Sequence, residues 1–373
     1  MLSFRFAATC LGFGLATLLV AAGQLSAQLT PHGPDGQVDA ATKTAVLDAI
    51  FSQLHDVYVF PETAKHMEAY VRDRVAQGDY EKIESGQAFA EKLSSDLQAI
   101  SKDKHLNVRY SHETLPPRAE RNEPTAAEVE AQQRWLKQTN FGFQKLERLP
   151  GNIGYIDLRG FMGPELGQGT VAAAMNFVAN TDALIFDLRQ NGGGDPAMVA
   201  LITSYLFGDE KVHLNDLYWR REDRTEQFWT LPDKVQGARF QDKTIYVLTS
   251  NRTFSAGEEF TYNLQNLKRA TIVGETTGGG AHPGDMVRLH EHFRAFIPSG
   301  RAINPITQKN WEGTGVIPDV PVAKEIALET AYKLALEERL AATSDDNERR
   351  DLQGLIQKTE QEIAAKTAVP AGQ

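Results

Sequence analysis

The spacing of apolar residues along the chain changes near residue 136. Between residues 41 and 100 the apolar positions recur every three or four residues, which predicts a small bundle of about three helices in residues 41–111. Beyond residue 136, short apolar runs alternate with helical periods, and this places residues 136–340 in the α/β (mixed α+β) class. The positions of helical spacing in the first part are Val46, Ile50, Leu54, Val57, Met67, Tyr70, Val71, Phe89, Leu93, Leu97 and Ile100.

Two apolar runs of the second part predict buried strands. Residues 183–188 are typical of a strand covered on both faces, and residues 244–248 predict another strand, followed by a helical period. The polar, proline-bearing residues 112–135 predict a linker or mobile cap between the two parts. After a last predicted helix near residues 325–340, the charged, alanine-rich residues 341–373 are predicted to form a solvated helix that frays into a tail.

The first residues have a different composition from the rest of the chain. One charge, Arg5, precedes an apolar stretch that ends in small and polar residues, so we predict a signal peptide at residues 1–27 and an exported protein, periplasmic or secreted. An uncleaved membrane anchor is the alternative, although the stretch is shorter than the ~20 residues that a span needs. Residues 28–40, rich in Pro, Gly and Asp, predict a disordered lead-in, and no second apolar span follows.

Charge and cysteine content exclude several classes of function. The net charge is -10 and no block of basic residues occurs, which argues against nucleic acid as a partner. The only cysteine, Cys10, lies within the predicted signal peptide. The mature chain would therefore have no disulfide, no thiol nucleophile and no cysteine-bound metal. His290 and His292 would share one face of a strand, but no third metal ligand is evident near them, so we predict no metal and no cofactor.

Ser255 lies where the predicted strand 244–248 turns into the following helix. A serine on such a turn is held at the rim of a sheet, and the N–H of the next residue, Ala256, points toward whatever the hydroxyl attacks. The match to a nucleophile elbow is partial, because Thr253 replaces the usual first glycine. Ser255 followed by Glu258 is also a capping box, which needs no chemistry.

A second turn, at residues 187–196, follows the other buried strand and contains Gly192, Gly193 and Gly194. Three glycines in a row allow successive N–H groups to point to one place, as an oxyanion or another anion requires. Phosphate binding is the competing interpretation, but the lysine of a P-loop is missing. A simple turn is the remaining alternative.

Three further residues are candidates for a catalytic base and the group that orients it. His105 opens a short strand after a polar turn, and His282 lies in a glycine-rich loop. Glu312 lies in a loop bounded by Pro and Gly, where it is either an exposed turn residue or the third member of a catalytic triad. A lone histidine is more often structural than catalytic.

Taken together, these segments resemble the S41-type serine peptidases, which include the tail-specific (C-terminal processing) proteases and the tricorn core. Within that family the retinoid-binding-protein-like branch is the most similar. The resemblance covers residues 41–322, and its motifs are Tyr58-Val59-Phe60-Pro61-Glu62, Asp103-Lys104-His105, Asp187-Leu188-Arg189-Gln190-Asn191-Gly192-Gly193-Gly194, Thr253-Phe254-Ser255-Ala256-Gly257-Glu258, Gly274-Glu275-Thr276-Thr277-Gly278-Gly279-Gly280-Ala281-His282-Pro283 and Trp311-Glu312-Gly313-Thr314-Gly315-Val316-Ile317-Pro318-Asp319.

The resemblance implies an N-terminal helical bundle packed on a ββα-type (crotonase-like, ClpP-like) catalytic core. It also implies a serine nucleophile at Ser255. Gly280 stands where the tail-specific branch has a lysine base, so the Ser/His/Glu arrangement of the tricorn branch is the better template, with His105 and Glu312 in matching places and His282 as the alternative base. The N–H groups of Gly193 or Gly194, together with that of Ala256, would form the oxyanion hole.

The implied function is hydrolysis of peptide or protein substrates by an exported serine peptidase. Residues 112–135 are too short for a peptide-binding PDZ domain, which favours short peptides or exposed segments as substrates. An esterase or amidase would use the same residues. A carrier of retinoid-like or fatty-acid-like ligands is the non-catalytic alternative, with a cavity lined by Trp219, Phe228, Trp229 and Trp311. The sequence does not indicate an oligomeric state.

Overall fold

The computed structural model describes residues 34–116 and 125–368 of the chain. The predicted signal peptide, residues 28–33 of the predicted lead-in and residues 117–124 of the predicted linker lie outside these residues. In the described part, no helix is long and apolar enough to cross a membrane.

Three helices and a short strand make up the N-terminal region: α1 (Ala40–Val57), α2 (Pro61–Ala76), α3 (Gly86–Ser101) and β1 (Asn107–Tyr110). Local sequence sets the beginning of each helix. The Asp39 carboxylate accepts a hydrogen bond from the N–H of Thr42 at 2.7 Å, and Ser85 Oγ accepts one from the N–H of Ala88 at 2.9 Å. Pro61 occupies the first turn of α2, where its missing N–H costs nothing.

The core begins with a helix and then alternates strands and helices. Its elements are α4 (Ala126–Gln138), β2 (Phe143–Leu149), β3 (Ile153–Leu158), α5 (Pro164–Val178), β4 (Ala183–Asp187), α6 (Pro196–Ser204), β5 (His213–Trp219), β6 (Arg224–Trp229), β7 (Thr244–Thr249), α7 (Ala256–Asn266), β8 (Thr271–Gly274), β9 (Gly284–His290), β10 (Phe293–Pro298), β11 (Gly300–Ile303), β12 (Val320–Pro321), α8 (Ala327–Ala342) and α9 (Asp346–Ala368).

A six-stranded sheet of order β12-β8-β7-β4-β3-β2 is the centre of the core. All its neighbouring strands are parallel except β2 and β3. Side chains of β4 point alternately to two hydrophobic clusters: Phe186 packs with α5, α6 and α7, whereas Ile185 packs with α8. Helices therefore cover both faces of the sheet, and the α/β class and the buried strand at 183–188 predicted from the sequence are confirmed.

A small sheet of order β1-β10-β9 joins the N-terminal region to the core. In it β1 is antiparallel to β10, with Asn107 opposite Phe296 and Tyr110 opposite Phe293. The apolar side chains of α1, α2 and α3 pack on Phe293 and other residues of this sheet. The N-terminal helices are thus fixed to the core by strand pairing as well as by side-chain contacts.

The charged residues 346–368 form a helix, as the sequence predicts, and most of its positions are exposed, but one face packs on the core. This helix, α9, packs antiparallel to α8, and Leu352 is buried against Leu336 and its neighbours. Leu355 and Ile356 lie three and four residues further on, on the same face of the helix. The apolar face is narrow, and the many charged residues around it obscure it in the sequence.

Candidate active site

Two loops meet at the carboxyl edge of the central sheet. One follows β4 and contains the three glycines, and the other follows β7 and ends at Ser255. Because β4 and β7 are adjacent and parallel, both loops leave the sheet at the same edge. The N–H of Phe254 donates to the carbonyl oxygen of Asn191 at 3.0 Å, and the Asn191 side chain donates to the carbonyl oxygen of Leu158 at 2.9 Å. These hydrogen bonds hold the glycine loop against the turn that carries Ser255.

Ser255 has a strained backbone. It precedes the first residue of α7 with φ 54° and ψ -123°, outside the regions that non-glycine residues ordinarily adopt. A Cβ added to Gly193 would lie 2.7 Å from Cβ of Ser255, so no larger residue fits beside the serine without a shift. The structure therefore holds the serine side chain in a costly conformation next to the glycine loop.

Glu258 connects the serine turn to the loop at residues 277–280. Its Oε2 accepts hydrogen bonds from the N–H groups of Ser255 and Gly280, each at 2.9 Å, and its Oε1 accepts from the N–H of Gly279 at 2.6 Å and from the Thr277 hydroxyl. The N–H of Glu258 donates to the main-chain carbonyl oxygen of Ser255 at 2.8 Å, so this bond does not use the serine hydroxyl. Burial raises the pKa of Glu258 to about 7. The capping partner expected from the sequence is thus also a tie between two loops, which local sequence did not reveal.

Glu258→Ala should lower the free energy of unfolding by about 3 kcal/mol or more, because it leaves several buried donors without an acceptor, each costing about 1–3 kcal/mol. Urea denaturation would measure the change. Glu258→Gln keeps one acceptor oxygen and should lower the free energy of unfolding by less. Glu62→Gln, at an exposed position of α2, should leave the free energy of unfolding unchanged. A loss under about 1 kcal/mol in Glu258→Ala would contradict the connecting role.

The two candidate oxyanion donors of the glycine loop differ in their hydrogen bonds. The N–H of Gly193 donates to Oδ1 of Asn191 at 2.9 Å, which makes Gly194 the better candidate of the two. The N–H groups of Gly194 and Ala256 have no hydrogen-bond acceptor among the described residues. Gly194 has φ 142°, and a Cβ there would lie 2.0 Å from the carbonyl oxygen of Phe161. Only glycine fits at this position.

His105 reaches the site from the turn before β1. Its main-chain N–H donates to the Asp103 carboxylate at 3.0 Å, and its ring lies 4.5 Å from that of Phe254, between centroids. Both ring nitrogens are buried without a hydrogen-bond partner, and burial lowers the pKa of His105 to about 4. A Cβ on Gly280 would lie 2.7 Å from Cε1 of His105 and 2.2 Å from Cζ of Phe254. The histidine and the phenylalanine thus fill the space that a side chain at position 280 would need.

Asp103, His282 and Glu312 form a buried polar group beside His105. Nδ1 of His282 lies 2.7 Å from Oδ2 of Asp103 and 3.4 Å from Oε2 of Glu312. Oε2 of Glu312 also accepts a hydrogen bond from the N–H of Ala281 at 2.6 Å, whereas its Oε1 has no partner. Burial, with the negative charge of Asp103, raises the pKa of Glu312 to about 7.

Asp103, His105 and Glu312 also have the spacing of metal ligands. One side-chain ligand atom from each lies within 4.8 Å of the other two. Asp103 and Glu312 already accept hydrogen bonds from the main chain. The same spacing suits a proton-transfer network that needs no ion.

Ser255, His105, Gly194 and Gly280 line one cavity of about 1060 Å³. His282 does not line it; its ring lies 5.2 Å from that of Phe60, between centroids. The structure therefore places His105, rather than His282, on the cavity that the serine faces. Of the predicted aromatic lining, Trp219, Phe228 and Trp311 are present, whereas Trp229 is partly exposed and stacks on His213.

Two models from one protein family match successive parts of the chain. Residues 152–322 match the model of peptidase family S41, and residues 40–140 match the N-terminal domain of Peptidase_S41 in eukaryotic IRBP. The chain belongs to peptidase family S41.

One curated relative and two solved structures are similar to this chain. The carboxyl-terminal-processing peptidase 1, chloroplastic, of Arabidopsis thaliana is 26% identical over 182 residues, which are 48% of this chain and 35% of that protein, so the chain spans about a third of its length. A putative peptidase from Parabacteroides merdae has a TM-score of 0.55 at 20% identity, covering 79% of this chain and 96% of its own. Mature CPAF has a TM-score of 0.51 at 13% identity, also covering 79% and 96%. These two structures share the fold.

Proposed function

We propose that this protein is an active serine peptidase with Ser255 as its nucleophile. The observation that carries the proposal is the strained backbone of Ser255 beside the glycine loop, in the wall of a cavity that His105 also lines. A fold gains nothing by holding an ordinary helix cap at φ 54°, because a serine with extended backbone caps a helix equally well. Strain of this kind persists where the surrounding structure enforces it for a purpose.

In the proposed reaction, Ser255 Oγ attacks the carbonyl carbon of the scissile peptide bond while His105 takes the hydroxyl proton. The carbon–nitrogen bond then breaks, and His105 gives the proton to the departing amine. Water next attacks the acyl-serine while His105 accepts a proton from it; the ester carbon–oxygen bond then breaks, and His105 returns the proton to Ser255 Oγ as the acid is released. His105 suits the first step, because its low pKa keeps the imidazole neutral near pH 7.

Glu312 is the proposed partner of His105. A buried imidazole without hydrogen bonds and a buried carboxylate oxygen without a partner lie in the same group of side chains, and each supplies what the other lacks. When the imidazole takes a proton, the negative charge of Glu312 would stabilise it and hold its orientation. Asp103 and His282 would fix the carboxylate in place.

The N–H groups of Gly194 and Ala256 are the proposed oxyanion hole. Both donors are unused by the described part of the protein, and both adjoin Ser255. Fixed donors of this kind stabilise the negative charge on the tetrahedral intermediate, and losing one typically costs on the order of 100-fold in rate.

A fluorophosphonate probe tests the proposal, since it reacts only with an activated serine hydroxyl. We expect labelling of the folded protein, with the modified peptide identified by mass spectrometry as the one that contains Ser255. Heat-denatured protein is the control and should not react. Labelling at any other serine, or none at all, would refute the assignment. Esters and peptides supplied as substrates in parallel would distinguish a peptidase from an esterase or amidase.

A carrier of hydrophobic ligands is the second candidate, favoured by the size and aromatic lining of the cavity. Trp219, Phe228 and Trp311 line a space of about 1060 Å³, at the upper end of small-molecule sites. A carrier would bind a fluorescent fatty acid and leave the fluorophosphonate unreacted. The serine strain and the free donors of the glycine loop have no use in a carrier.

A further inference from the structure

Glu259 is a buried acid in the wall of the proposed active-site cavity. It lies four residues after Ser255, so both side chains are on the same face at the start of α7. The residue is only 4% exposed and lines the cavity, and its Oε1 has no hydrogen-bond partner. Nothing in the mechanism above uses this carboxyl group.

The surroundings of Glu259 are acidic. Asp195 follows Gly194 directly, is buried, and lines the same cavity together with Glu165 and Glu226. Their charges are close enough to act on one another: after burial, the negative charge of Asp195 contributes to raising the pKa of Glu259, and Glu165 and Glu226 contribute to raising that of Asp195. Asp195, Glu165 and Glu259 form no ion pair within the described residues.

Asn215 is fully buried and lies beside Glu259, and a hydrogen bond between the two side chains acts to lower the pKa of Glu259, against the larger effect of burial. The Trp219 Nε1 in the cavity wall has no hydrogen-bond partner. Leaving such groups unpaired costs about 1–3 kcal/mol each. The unpaired Oε1 of Glu259 and the unpaired Nε1 of Trp219, both in the cavity wall, point to a ligand that supplies the missing partners.

Arg221, Arg224 and Arg288 also line this cavity, and two of them are engaged with other groups. Arg224 pairs with Glu226 at 3.5 Å, and Nε of Arg288 donates to the carbonyl oxygen of Leu115 at 3.1 Å. Arg221 lines the cavity and forms no ion pair with Glu259 or Asp195. The two buried acids therefore have no ion-pair partner within the described residues.

We propose that Glu259 and Asp195 form a subsite for the basic side chain, Lys or Arg, of the substrate residue next to the scissile bond. Four residues of helix separate Ser255 from Glu259 by about 6 Å along the axis, a distance that the long stem of Lys or Arg spans. Asp195 directly follows Gly194, the last of the three glycines in the glycine loop. This inference rests on the proposed function, because it places the cation relative to the bond that Ser255 would attack.

Peptide binding to the Ser255→Ala protein tests the subsite without depending on catalysis. The probes are two peptides with acetylated and amidated ends, Ala-Ala-Lys-Ala-Ala and the same peptide with norleucine in place of Lys. We expect the Lys peptide to bind about 10-fold more tightly by calorimetry, a difference that opposite charges at a buried site readily provide. The advantage should disappear when Glu259→Gln or Asp195→Asn is added and persist with the exposed control Glu62→Gln.

Two results would overturn the inference: equal or tighter binding of the norleucine peptide, or a Lys advantage that survives both Glu259→Gln and Asp195→Asn. Both substitutions are nearly isosteric, and Asn is as good an N-cap for α6 as Asp, so folded variants are expected. A third peptide, with norleucine and a free N-terminal amine, distinguishes a side-chain cation from an α-ammonium group; tighter binding of this peptide than of the Lys peptide would also refute the proposal. The fluorophosphonate test is independent of this one. If the Lys peptide binds more tightly but the probe does not label Ser255, the subsite inference holds and the proposed peptidase activity is refuted.

Discussion

Ser255→Gly is expected to yield a protein that is more stable than the wild type by about 1 kcal/mol and has lost hydrolytic activity by roughly 10⁴-fold or more. Glycine adopts φ 54° and ψ -123° without penalty, which relieves strain of about 1–3 kcal/mol, offset by about 0.5–1 kcal/mol of additional chain entropy in the unfolded state. The same substitution removes the hydroxyl that would attack the substrate. Stability and activity should therefore move in opposite directions at this residue.

Urea denaturation and peptide hydrolysis together measure this pair of effects. Ser255→Ala is the matched comparison, because it removes the hydroxyl without relieving the backbone strain, so activity should fall equally while stability stays near that of the wild type. Ser52→Ala, at an exposed position of α1, should change neither quantity. A Ser255→Gly protein less stable than Ser255→Ala would show that the conformation is not strained, and hydrolysis surviving in either variant would exclude Ser255 as nucleophile.

His105→Ala is expected to reduce kcat/KM on the order of 1000-fold or more, whereas His282→Ala should reduce it far less. His105 lines the cavity with Ser255, while His282 is turned toward Asp103 and Phe60. Hydrolysis by the two purified variants gives the comparison, with circular dichroism to establish that both are folded. If His282→Ala alone abolished hydrolysis, the base would be His282.

The pH dependence of the wild-type enzyme checks the same assignment. A general base works only when neutral, so kcat/KM should fall as the pH drops through the pKa of the base in the free enzyme. Burial lowers that pKa to about 4 for His105, well below the 6.5 of an unshifted histidine. Glu312, whose charge would stabilise the protonated His105, has a pKa raised to about 7 and should cause a partial decline as the pH drops through that value. The remaining activity should be lost between about pH 4 and 5, and complete loss near pH 6.5 would contradict a buried His105 as base.

Local sequence was enough to predict the elements whose signals are local. The run at residues 183–188 is apolar on both faces because helices cover both faces of the sheet, and the turn at Ser255 follows from a strand, polar residues and a helical period in succession. The beginnings of the N-terminal helices also have local causes in the structure, at Asp39, Pro61 and Ser85. Mixed α/β architecture was predictable from local signals, and family membership from the resemblance of the motifs.

Features that depend on distant pairing were not predictable from the residues themselves. The carboxylate of Glu258 accepts hydrogen bonds from Gly279 and Gly280, some twenty residues away, and the N–H of Gly193 is taken by a neighbouring side chain whose direction depends on β3. The burial of Glu259 was not predictable either. An acidic residue at the start of a helix usually faces solvent, whereas packing buries Glu259 and leaves its Oε1 without a hydrogen-bond partner.

The pairing of β1 with β10 has a consequence for the order in which the protein becomes able to act. His105 is made early, Ser255 much later, and the strand that holds β1 in place is synthesised only after Ser255, with Glu312 later still. A chain growing on the ribosome thus carries His105 and Ser255 before the strand that places His105 has been made. The residues of the proposed active site can come together only after β10 and Glu312 have been synthesised.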